Sequence, residues 1–149
     1  MQSTRRNDLV YALLLIAAFC TLAPSGLGYE TWQLAALPLA TLGLGLVLRA
    51  PALFLSGSTL AVLMVITVYL VLTARLGREG GLVLLGLYFS APAMLPGIAV
   101  TVWLLRQRIR ASLPWIVAAL GFAGTFLGFM LGQMVICNSL MHCGVLTLG

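Results

Sequence analysis

Residues 51–74 read PALFLSGSTLAVLMVITVYLVLTA. No side chain in this stretch is charged, and Arg49 and Arg75 bracket it. A helix needs about 20 apolar residues to cross the hydrocarbon core of a bilayer, which is about 30 Å thick. Only a helix satisfies its own backbone hydrogen bonds while doing so, unless a β-barrel closes on itself. The run also carries no turn residue in its second half, so it reads as one membrane-spanning helix.

Working outward from this run, four more apolar segments of similar character appear, at about 9–24, 31–48, 81–105 and 113–136. Only Arg49-Ala50-Pro51 separates the second segment from the third. Fusing the two would give a helix far longer than a bilayer accepts, so a tight hairpin is expected, with Pro51 in the first turn of the third helix. The expected fold is all-α: a polytopic transmembrane bundle of about five helices in a single domain over residues 1–149. No internal repeat, low-complexity tract or linker divides it.

Composition agrees. Hydrophobic residues make up 62% of the chain and charged residues 7%, and the mean hydropathy is +1.12. A soluble domain carries about 25% charged residues and cannot hide so much apolar surface at this size. With lipid as solvent the conflict disappears.

The net charge of +5 comes from eight arginines set against Asp8, Glu30 and Glu79, with no lysine. These arginines sit singly or in short clusters between apolar runs and form no basic face, which argues against nucleic acid as a partner. They orient the chain instead. With the N-terminus cytoplasmic, Arg5, Arg6, Arg49, Arg106, Arg108 and Arg110 fall inside, and only Arg75 and Arg78 fall outside. That asymmetry follows the positive-inside rule and places the C-terminus outside. The expected location is the cytoplasmic (inner) membrane of a bacterium. Tyr29 and Trp32 at the outer boundary, and Trp103 and Trp115 beside the inner arginines, suit the membrane interface. The first segment has a rival reading as a secretory signal, with Arg5 and Arg6 ahead of it and small residues at Ala23-Pro24-Ser25. A retained helix is preferred.

Two patterns concern packing. Gly124, Gly128 and Gly132 are spaced by four and share one face of the last helix, with Gly121 nearby. Small residues so arranged let two helix backbones approach closely in lipid. They are expected to pack within the bundle, or against a second copy or a partner helix. In the fourth segment, Ser90, Pro92 and Pro96, followed by Gly97, predict a kink or local opening, because each proline removes a backbone donor and clashes with the preceding turn. With Ser56 and Ser58 in the third helix, these residues would line a polar cavity if one existed.

The chemistry available is sparse. No charged side chain lies well inside an expected span, which argues against proton relays and ion paths. One histidine and three scattered acids leave little for acid–base catalysis, so the chain reads as a non-enzyme with no cofactor. Cys137 and Cys143 flank a short tail segment containing His142. The spacing permits a disulfide, which would persist on the oxidising side. Two cysteines and one histidine fall short of the four ligands of a structural zinc site, and Cys-x-x-Cys is missing, so no metal is assigned. Three functions remain. The first is an accessory or assembly subunit packing against a larger membrane protein. The second is a small homo-oligomeric transporter or channel. The third is a redox or metal-handling protein using Cys137, His142 and Cys143.

Overall fold

The computed structural model describes residues 2–22, 31–76, 80–108 and 113–139, and among them there is no strand. The helices are α1 (Gln2–Leu22), α2 (Thr31–Val47), α3 (Phe54–Leu76), α4 (Gly80–Ser90), α5 (Met94–Arg108) and α6 (Pro114–Ser139). A single 3-10 turn, Ala91–Ala93, joins α4 to α5. These two helices and the turn occupy the fourth expected segment, so the described residues form five helical rods.

Three helices are long and apolar enough to cross a membrane: Phe54–Leu76, Leu85–Gln107 and Pro114–Ser139. Five segments were expected. Among the described residues α2, a helix of 17 residues, contributes a shorter apolar stretch, Ala35–Val47. In α1 the helix extends back through Arg5, Arg6 and Asp8, and uninterrupted apolar sequence begins only at Leu9. Among the described residues the protein is therefore all-helical, with three helices of membrane-crossing length. Its surface fits that setting: Leu60, Met64, Val68 and Val71 form an exposed apolar stripe along α3.

The α2–α3 join is as tight as its sequence suggests, but its construction differs. Two hydrogen bonds close α2, from Ala50 N–H to the Gly45 carbonyl and from Arg49 N–H to the Leu46 carbonyl. This is the Schellman pattern, and it places Arg49 in the left-handed position that glycine usually fills, at φ 48°. Leu53 is also left-handed, at φ 67°. Pro51 does not start α3. Its carbonyl accepts the N–H of Phe54 at 3.3 Å, and the helix begins three residues later than expected because Leu53 turns the chain once more.

α3 occupies the centre. Its best apolar window is 56% buried, against 39% and 33% for the other two membrane-length helices. One cluster of buried side chains gathers Ala12, Leu42, Phe54, Leu55, Val102 and Val117 around its start. A second gathers Val62, Ile66, Leu70, Leu87, Met94 and Phe129 around its middle. The buried members of the first cluster come from all five rods, and those of the second from three, α3, the α4–α5 rod and α6. Between helices in lipid such contacts act through van der Waals packing, since lipid tails are as apolar as leucine. The Tyr69 and Phe129 rings meet edge to face with centroids 5.8 Å apart, a favoured aromatic geometry. Together with the contact of Gly121 on Phe54, this pair shows α3 and α6 running in the same direction.

Candidate functional site

The glycines of α6 face α5 in the same chain. A methyl group added at Gly128 would lie 2.7 Å from the Ala93 carbonyl oxygen and 3.0 Å from the Gly97 Cα. One at Gly97 would lie 2.9 Å from the Gly128 Cα. Gly124 meets the Thr101 side chain, and Gly132 meets Ala93. The contacts form an antiparallel ladder: Ala93, Gly97 and Thr101, spaced by four, oppose Gly132, Gly128 and Gly124. Sequence reasoning found the α6 half and missed the α5 half, although the same spacing of four was visible there. Gly121 packs elsewhere, against the Phe54 carbonyl and ring of α3.

This close approach leaves a groove of about 790 Å³ along the outer side of the α5–α6 contact. Its floor is the small-residue ladder. Its walls are apolar and exposed, among them Phe89, Val100, Leu127, Leu131 and Val135. Thr101 supplies the one hydroxyl among its lining residues, and that hydroxyl donates to the Gly97 carbonyl at 2.8 Å.

The remaining hydroxyls do not converge on a common space. Ser56 donates to the Leu53 carbonyl and Ser58 to the Leu55 carbonyl, each at 3.0 Å and each within its own helix turn. Ser90 crosses to α6 and donates to Gln133 Oε1 at 2.5 Å. Gln133 in turn directs Nε2 toward Cys137 Sγ at 3.7 Å. Thr59 is fully buried, and its hydroxyl has no hydrogen-bond partner. Pro92 and Pro96 are accommodated by the 3-10 turn: Met94 N–H reaches back to the Ala91 carbonyl, and the helix continues on both sides. The break is one tightened turn, not an opening.

Asp8 is the polar feature that the sequence did not reveal. It is only 1% exposed, although the expected first span begins after it, at about residue 9. Its carboxylate accepts the N–H of Leu55 at 3.1 Å and that of Ser56 at 3.0 Å. Those are two of the donors left without intrahelical partners in the first turn of α3. Leu53, the residue in the cap position, has no side-chain acceptor, so an acid 47 residues away serves instead. The missing local cap ahead of Phe54 was the available signal.

At the same end of the bundle, Arg106 of α5 donates from its guanidinium to the Leu48 carbonyl at the end of α2. Beside it lies a pocket of about 370 Å³ lined by Leu48, Ala99, Val100, Val102, Trp103 and Arg106.

Among the described residues no group of three or more His, Cys, Asp or Glu side chains could hold a metal ion. Cys20 is a free thiol. His142 and Cys143 lie outside the described residues, as do Tyr29, Glu30, Arg78 and Glu79, so the expected Cys137–Cys143 pairing falls there too. No family model matches this chain, and neither a curated protein nor a solved structure is significantly similar to it.

Proposed function

We propose that this chain crosses a bacterial inner membrane five times, N-terminus inside and C-terminus outside, as an accessory or assembly subunit that packs against a larger membrane protein. The observation that carries the reading is the α5–α6 groove. It is long, apolar and floored by residues small enough to admit the ridge of another helix. The side chains along it offer no chemistry of their own. The arginine asymmetry supports the orientation, and the Asp8 and Arg106 contacts bring the starts of α1 and α3 and the ends of α2 and α5 to one end, as five alternating crossings require.

A homo-oligomeric carrier is the weaker reading. It needs Ser56, Ser58, Ser90 and Thr101 to line a shared polar path, whereas each donates to a helix carbonyl or to Gln133. The redox or metal reading rests on Cys137, His142 and Cys143, of which the last two lie outside the described residues.

Extraction from the native membrane in mild detergent, followed by mass analysis of what co-purifies, tests the proposal. A stoichiometric larger membrane protein is expected. Leu131→Trp, which fills the groove from an exposed position, should release that protein without lowering the melting temperature of the bundle. Purification as a homo-oligomer that moves a solute across vesicles by itself would overturn the reading.

A further inference from the structure

The pocket at the Arg106 end has the chemistry of a phospholipid site. Trp103 and Arg106 belong to α5, one turn apart, and both are exposed. Leu48 closes the pocket from α2. The contact to the Leu48 carbonyl uses one of the five donors of the Arg106 guanidinium. It holds the group against the bundle while its other donors remain available. The Leu48 carbonyl belongs to the peptide that leads into Arg49, an exposed residue next in the chain to the pocket.

Neither charge has a carboxylate to neutralise it among the described residues. Asp8 is the only acid there, and it is buried with both oxygens turned to the α3 backbone. The uncompensated Arg106 guanidinium therefore borders an apolar pocket, beside an indole of the kind that settles at the headgroup level, and Arg49 adds a second positive charge one residue beyond Leu48. Basic pockets between membrane helices bind anionic lipid headgroups, and arginine pairs with phosphate through its planar fork of donors.

We infer that the Leu48–Trp103–Arg106 pocket holds an anionic phospholipid. Its phosphate sits on Arg106 and Arg49, and the start of one acyl chain lies against Ala99, Val100 and Val102. The inference requires only that this end of the bundle faces a headgroup layer, and it stands apart from the identity of any protein partner.

The test is native mass spectrometry of the detergent-purified protein, titrated in parallel with phosphatidylglycerol, phosphatidylcholine and inorganic phosphate. Phosphatidylglycerol adducts should persist at collision energies that strip phosphatidylcholine. Arg106→Gln and Arg49→Gly should each weaken phosphatidylglycerol retention about fivefold. Arg75→Gln, at the far end of α3, should leave it unchanged. Because Arg106 also bonds α2, the decisive variant is Arg49→Gly, which removes the charge at a backbone position that glycine favours. Equal retention of the two lipids, an equal loss in Arg75→Gln, or displacement of the lipid by inorganic phosphate would each overturn the assignment.

Discussion

Asp8 in α1 caps α3, accepting hydrogen bonds from the backbone N–H groups of Leu55 and Ser56 while almost completely buried. Capping is normally local: a serine, threonine, aspartate or asparagine immediately ahead of the helix reaches its second or third N–H. Here the cap comes from another helix, so it ties α1 to α3 as well as satisfying two donors.

Asp8→Ala should destabilise the protein by about 2 kcal/mol, because it leaves two buried donors without partners. Asp8→Asn keeps one good acceptor and should lose about half as much. Melting temperatures in detergent check the order. An Asp8→Ala protein that melts with the wild type would remove the cap from any account of stability.

The small-residue ladder predicts a sharp contrast between glycines. Gly128→Ala places a methyl against the Ala93 carbonyl and Gly97 and should cost about 1–3 kcal/mol through overpacking. Gly43 has nothing within 4 Å of its added methyl. Gly43→Ala should be neutral or stabilise by up to about 1 kcal/mol through helix propensity. Thermal unfolding of the two variants side by side is the measurement.

Arg49→Gly should raise stability by about 1 kcal/mol or less. The left-handed conformation penalises a side chain at φ 48°, while the greater freedom of glycine in the unfolded chain offsets part of the gain. A lower melting temperature would mean that the arginine side chain contributes more at this hairpin than its backbone strain removes.

Ser90 and Gln133 should be coupled by about 0.6 kcal/mol, the typical strength of a hydrogen bond between membrane helices. A double-mutant cycle of Ser90→Ala and Gln133→Leu isolates that term. Strict additivity would show that the bond contributes nothing to stability.

The fold was legible in the sequence to the extent that it depends on hydropathy. The 51–74 run, the hairpin at Arg49 and the joined fourth segment all follow from apolar length and from proline and arginine placement. The glycine face of α6 was legible as a packing face, because a spacing of four defines a helix stripe. The opposing Ala93-Gly97-Thr101 stripe escaped notice because prolines dominated the reading of that segment. Asp8 was not legible, since its partner is defined by a helix crossing and not by a spacing. The two proline positions pointed to an interruption of the helix, and the 3-10 turn Ala91–Ala93 stands there. A 3-10 turn needs bonds only three residues back, so it absorbs the missing donors without opening the rod.

The central helix, α3, shares its start with α6 through Phe54 and Gly121, and α5 shares a face of the same late helix. Ribosomes make α6 after the other described helices. Until it arrives, Gly57 and Gly97 are open notches with no Ala118 or Gly128 to fill them. A chain without α6 exposes both notches, and incompletely packed chains are the ones that cellular proteases remove. A chain terminated at Ala111 should decay much faster in a pulse-chase than the full protein. Equal lifetimes would show that the first four rods hold together without their last neighbour.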